Sequence, residues 1–310
     1  MSQAASTQWE GRTDGTSWMH RNLMRLLRHV PLQLVYGVMA GAVVPGYIVA
    51  TPSHFRAIYH YMRQRRGMSP LKALAWTYAN HVRFGQVVID RFAAFAGRRY
   101  QFDLEGYEHF EQLAQQSGGF MVMSAHVGCY ELAGYAFKSR NKRFNALVYS
   151  GEAATVMENR NRLLEPNNIR MIPASDDLSH VIALSNALSD GEIVSVPGDR
   201  VFGSPRTLQC TLQGAPVALP MGPYRLAATR DVPVLAISVM KRSTSCYHVI
   251  IDRLDTQAAT QRSERTQYLA DAMCRHIDGV LDRYPAQWFN FYEFWENNND
   301  DNSHNTTPAG

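Results

Sequence analysis

From Phe120 onward, short apolar runs alternate with amphipathic segments at regular intervals. Phe120–Met123, Phe144–Tyr149, Ile169–Ile172, Glu192–Val196, Pro233–Met240 and Tyr247–Leu254 read as strands. Between them lie patterns of helical period over Ala153–Leu164, Leu178–Ser189 and Leu219–Thr229, with a further helix from about Gly128 to Lys138. Arg262–Tyr284 is a long closing helix, and Gln101–Leu104 and Glu108–Gln116 form a strand and a helix ahead of the main series. Strands that are apolar throughout, separated by helices, predict an α/β fold: a central mixed, partly parallel sheet flanked by helices.

The amino-terminal part has a different pattern. Val30–Ala50 carries no charged side chain and is long enough to cross a bilayer as a helix. Pro31 and Pro45 shorten its unbroken run, so a helix in the interface or a re-entrant hairpin fits as well. His54–Phe95 reads as one or two helices with aromatic and basic faces. The resulting division is 1–95 as a membrane-associating helical region, 96–296 as an α/β catalytic domain, and 297–310 as a disordered tail rich in Asn and Asp.

Charge sharpens this division. The chain of 310 residues has a net charge of +4, yet Gly15–Ile89 contains no Asp or Glu. That stretch holds Arg21, Arg25, Arg28, Arg56, Arg63, Arg65, Arg66, Lys72 and Arg83, which leaves the rest of the chain acidic. Such asymmetry points to an anionic partner: nucleic acid, anionic lipid or an acidic carrier protein. The four cysteines form no C-x-x-C pair and read as reduced thiols facing the cytoplasm. His20, His29, His54 and His60 show no ligand spacing, and no metal is expected.

Candidate chemistry lies at two strand ends. In Ser124-Ala125-His126-Val127-Gly128-Cys129-Tyr130-Glu131, a histidine follows an apolar strand and an acid follows five residues later. A carboxylate on one ring nitrogen fixes the tautomer and leaves the other nitrogen as a base for a hydroxyl or amine. The same spacing also fits a histidine satisfied by a backbone carbonyl and a glutamate on a solvated face. Cys129 offers a competing reading as the nucleophile of a thioester hydrolase. At the second strand end, Pro197-Gly198-Asp199-Arg200 and Arg206 could hold a phosphate or carboxylate, with Asp199 orienting Arg200 or the acceptor.

Together these elements resemble the bacterial lipid A late acyltransferases, within the lysophospholipid acyltransferase superfamily. Four features carry the resemblance in order: the basic, apolar amino-terminal anchor, the H-x4-D/E motif at His126 and Glu131, Pro197-Gly198-Asp199, and Pro285-Ala286-Gln287-Trp288. The resemblance implies an acyltransferase with His126 as general base and Glu131 as its partner. Asp199, Arg200 and Arg206 at the second strand end stand as the substrate-binding residues, and the resemblance adds Arg162, which follows Asn161 where the family has a basic residue before its second motif. The donor would be an acyl thioester on acyl carrier protein or coenzyme A, used as a substrate with no cofactor. The partners would be an anionic membrane, acyl carrier protein and a lipid or glycolipid acceptor, with no nucleic acid. The place implied is the bacterial inner membrane, with the catalytic domain on the cytoplasmic side. A thioester hydrolase and a non-catalytic lipid or carrier-protein docking module are the rival functions. Two departures stand out. Phe289–Trp295 replaces the family's usual His-Arg-Arg segment, and Trp9–Arg21 is an added opening. Both resemble family members encoded with fatty-acid-like or aryl polyene pathways.

Overall fold

The computed structural model describes residues 17–132, 134, 142–148, 168–174, 177–200, 206–255 and 261–295. Four helical stretches precede the sheet among the described residues. Helix α1 spans Ser17–His29. A continuous helix then covers Leu32–Ala50, formed by α2 (Leu32–Val38) and α3 (Val44–Ala50) joined through a π turn at Met39–Val43. The π turn lies just ahead of Pro45, whose ring and missing N–H a regular α turn could not accommodate. Pro45 therefore widens the helix without ending it. Helix α4 (Pro52–His60) runs into a second π turn, Tyr61–Arg65, and α5 spans Pro70–Phe95. Pro52 and Pro70 open their helices at the position where a missing N–H costs nothing.

The sheet begins with β1 (Gln101–Glu105), followed by α6 (Tyr107–Gln115), β2 (Phe120–Ser124), β3 (Phe144–Val148) and β4 (Ile169–Pro173). It continues with α7 (Ser179–Ser189), β5 (Ile193–Pro197), a hairpin of β6 (Thr207–Leu212) and β7 (Ala215–Pro220), α8 (Met221–Arg230), β8 (Val234–Lys241), β9 (Cys246–Arg253) and α9 (Arg262–Arg283). The seven-stranded sheet has the order β1-β9-β8-β2-β5-β3-β4. Its neighbours run parallel except the β8–β9 pair. Strands β2 and β8 are buried along their whole length, which is why they read as unbroken apolar runs.

The β6–β7 hairpin departs from expectation. Gln213 and Gly214 both adopt positive φ, at 50° and 71°, as a two-residue hairpin turn requires. Leu219 and Pro220 consequently end a strand, and the expected Leu219–Thr229 helix starts at Met221. The described part of the helix expected from Gly128 includes a 3₁₀ turn at Tyr130–Leu132. The Ala153–Leu164 helix and the tail from Glu296 lie outside the described residues.

Two apolar clusters organise the interior. The larger surrounds the sheet, and the smaller joins Leu27, Leu32, Tyr36 and Met39 to Ile89, Phe92 and Phe95 of α5. A buried polar knot sits at their boundary. The Asp90 carboxylate accepts hydrogen bonds from the Tyr36 and Tyr247 hydroxyls and pairs with the Lys241 ammonium. A buried ion pair is stable only when its remaining hydrogen-bonding capacity is filled, and the two tyrosines do that. The carboxy-terminal aromatic segment wedges the helices against the body. Trp295 stacks on Tyr61 with ring centroids 5.9 Å apart, and Phe291 meets Phe84 edge-on at 4.9 Å. Burial of these rings explains why apolar residues occupy this segment.

Candidate active site

Parallel strands in register deliver equal offsets to the same place. Ser124 at the end of β2 pairs with Pro197 at the end of β5, so His126 and Asp199 each lie two residues beyond the paired position. Gly198 N–H donates to the Ser124 carbonyl at 2.9 Å and extends the ladder into the loops. There Asp199 receives two hydrogen bonds from one residue. The His126 backbone N–H donates to Oδ2 at 2.8 Å, and ring Nδ1 lies 2.9 Å from Oδ1. The Asp199 side chain is fully buried and that of His126 is 16% exposed, so the ring retains an outward edge. With Nδ1–H donated to the carboxylate, Nε2 carries the lone pair of a base.

The electrostatics keep Asp199 ionised and favour the neutral, basic form of His126. Burial is the largest influence on His126 and, with the nearby Arg200 guanidinium, holds its pKa below the usual histidine value against the pull of Asp199. For Asp199, burial opposes ionisation, but His126, its two hydrogen bonds and Arg200 outweigh it and lower the carboxyl pKa. Arg200 is fixed from the carboxy-terminal segment: its Nε donates to Asn290 Oδ1 at 2.8 Å and its Nη2 to the Phe289 carbonyl at 3.1 Å. The Phe289 N–H in turn donates to the His126 carbonyl at 3.1 Å. The aromatic segment thus holds both the histidine loop and the arginine beside it.

Glu131 occupies a different position from the one its spacing suggested. Its Oε1 accepts from Arg91 Nη1 of α5 at 2.8 Å, with both side chains mostly buried. The carboxylate on Nδ1 of His126 is that of Asp199, while Glu131 contributes a more distant negative charge. The physical reason is the Gly128 turn. Its positive φ of 65° and the bridge from Gly128 to Val239 turn the chain sharply, before a helix could bring Glu131 under the ring. The backbone amides of this turn are already engaged: the Gly128 N–H donates to the Gln287 carbonyl and the Cys129 N–H to that of Val239. Cys129 is buried, and that burial raises its thiol pKa well above the usual range, so it is not poised as a nucleophile.

The turn itself is tightly confined. A Cβ on Gly128 would come within 2.2 Å of the Val239 carbonyl oxygen, and the left-handed backbone adds strain. Gly128→Ala is expected to lower unfolding stability by about 2 kcal/mol or more, read as a shifted denaturant midpoint at constant m-value. An unchanged midpoint would mean that the turn is not under this constraint.

Of the other expected residues, Arg206 is exposed just ahead of β6, where its carbonyl accepts from the Met221 N–H. Arg162 lies outside the described residues. Three residues escaped sequence reading: Arg91 against Glu131, Asn290 against Arg200, and Tyr130, whose ring meets that of His126 edge-on at 5.5 Å. Only Asn290 had a sequence signal, as a polar residue inside an aromatic run.

The sequence model of a family described as bacterial lipid A biosynthesis acyltransferase matches residues 90–297. Among solved structures, the chain is similar to the 1-acyl-sn-glycerophosphate (LPA) acyltransferase PlsC from Thermotoga maritima. That likeness has 14% identity and a TM-score of 0.39, and covers 84% of this chain and 98% of that one. No curated protein matches. The family match spans about two thirds of the chain and includes both strand ends that carry the His126–Asp199 pair, so the protein belongs to the bacterial lipid A biosynthesis acyltransferase family and is an acyltransferase.

Proposed function

We propose that the protein moves an acyl group from an acyl thioester, on acyl carrier protein or coenzyme A, to a hydroxyl or amine of a lipid or glycolipid acceptor. The reaction takes place at the cytoplasmic face of the bacterial inner membrane. The observation that carries this reading is the buried Asp199 on Nδ1 of His126, beside Arg200, at the ends of two central strands. His126 Nε2 takes the proton of the acceptor as its oxygen or nitrogen bonds to the thioester carbonyl carbon. Asp199 stabilises the imidazolium. The carbon–sulfur bond then breaks, and the departing thiolate takes the proton back from Nε2. Arg200 is placed to stabilise the oxyanion or to hold an acceptor phosphate. Glu131, fixed by Arg91, supports the loop and adds negative charge near the ring. Support for membrane association comes from the charge asymmetry and from the apolar Leu32–Ala50 helix.

The test is incubation with acyl carrier protein or coenzyme A thioesters and a bacterial lipid extract, followed by mass analysis of the lipids. An acylated lipid is expected. Release of free fatty acid alone, at the same rate without lipid, would instead identify a thioester hydrolase.

The pH dependence follows from the depressed pKa of His126. A base works in its neutral form, so activity falls as pH drops through that pKa. The acid limb of kcat/KM is therefore expected below pH 6.5, the ordinary histidine value. A limb well above it would exclude a buried His126 as the titrating group.

A further inference from the structure

The Leu32–Ala50 helix has the length and apolarity of a bilayer span, yet it is fastened to the protein along its length. Leu32, Tyr36, Met39 and Val44 form its buried stripe. Tyr36 reaches the Asp90–Lys241 ion pair beside the sheet, and Met39 packs so closely on Gly85 that a Cβ there would meet its sulfur at 2.5 Å. Tyr78 of α5 donates to the Ala40 carbonyl, and the Tyr47 ring lies 6.2 Å from that of His81. From Tyr36 to Tyr47 the helix thus stays against α5. A perpendicular span would carry α5 with it. It would drag the buried Thr77, Asn80 and His81 of α5, and then the Asp90–Lys241 pair, towards the hydrocarbon.

The opposite face is apolar and exposed. Leu34, Val38, Val43 and Val49 are 59–81% exposed. The Tyr78–Ala40 bond brings the first turns of α5, with Leu71 at 82% and Leu74 at 50% exposure, beside the middle of this helix. Arg21, Arg25 and Arg28 are exposed on α1, Arg56 on α4 and Lys72 on α5, with no acid between Gly15 and Ile89. An apolar strip bordered by uncompensated cations matches an anionic lipid surface in both hydrophobicity and charge.

We propose that the protein is monotopic: the Leu32–Ala50 helix lies in the plane of one anionic leaflet, with its exposed face in the acyl region and the first turns of α5 beside it. This rests on the membrane-associated reading above, and adds that nothing crosses the bilayer between Leu32 and Ala50.

Depth measurement decides the matter. In full-length Cys246→Ser protein, whose other cysteines are buried, single cysteines at Leu34, Val38, Val43 and Val49 are labelled with a nitrobenzoxadiazole fluorophore. The protein is bound to vesicles of phosphatidylethanolamine and phosphatidylglycerol containing lipids brominated at graded depths. An in-plane helix puts all four labels at one shallow depth. A spanning helix spreads Leu34 and Val49 over ~22 Å, with Val43 deeper than either end. That spread would overturn the in-plane proposal and leave membrane association standing. Labels that stay in water on vesicle-bound protein would overturn the in-plane proposal, and protein that does not bind the vesicles would overturn the membrane-associated reading as well. Leu34→Glu combined with Val38→Glu changes exposed positions only and is expected to weaken vesicle partitioning at least ~10-fold. Replacing phosphatidylglycerol by phosphatidylcholine is expected to do the same. Partitioning that ignores either change overturns the assigned face or its charge preference.

Discussion

His126→Ala is expected to lower turnover ~10²–10⁴-fold, roughly 3–5 kcal/mol of barrier, because it removes the only proton acceptor assigned to the reacting hydroxyl or amine. The substitution suits the purpose, since the fold depends on the backbone of this residue more than on its ring. The His126 N–H holds Asp199 and its carbonyl accepts from Phe289, and alanine keeps both bonds. Donor affinity is expected to change little, so kcat should fall while the donor Kd stays near its original value. Turnover and donor binding measured side by side on folded protein test this. Near-full turnover would remove His126 from the chemistry. A parallel loss of binding and turnover would make it a structural residue.

The second large effect is expected at Asp199, and it separates the two carboxylates. Asp199→Asn keeps the size of the side chain and an oxygen for the His126 N–H. The amide group then faces Nδ1 as a donor where the ring needs an acceptor. The histidine is pushed into the tautomer with hydrogen on Nε2, which leaves no lone pair towards the acceptor. A loss of ~10²–10⁴-fold in kcat/KM is expected, close to that of His126→Ala. The residual activity should carry its own signature. The Asp199 charge raises the His126 pKa, so its removal moves the acid limb to lower pH. Glu131→Gln is expected to cost less, because its carboxylate is bound to Arg91 and reaches the ring only as a more distant charge. If Glu131→Gln proves the more damaging of the two, the pairing in the active molecule is that suggested by the H-x4-E spacing, and Asp199 has another task.

Much of the fold was legible in the sequence. Apolar runs such as Phe120–Ser124 and Val234–Lys241 leave little choice but a sheet covered on both faces, and the helix-length intervals demand parallel crossovers. The β6–β7 hairpin was missed although Gln213-Gly214 marks its turn, because Leu219–Arg230 also fits a helical period. The place of His126 at the end of a central strand was legible. Its partner was not, since spacing reports distance along the chain, and Asp199 is 73 residues away.

What the sequence determined alone is local: which segments are strands or helices, where the chain must turn, and that an acid-free, basic amino-terminal quarter precedes the α/β body. Tertiary structure decided what meets what. The register of β2 on β5 placed Asp199 under His126, the Gly128 turn sent Glu131 to Arg91, and the Asp90–Lys241 knot fastened an apparent membrane span to the body. Periodicity reflects interactions within a few residues. Pairings across tens of residues depend on how the sheet is threaded and on which buried charges must be satisfied, and neither is written in any single stretch of the chain.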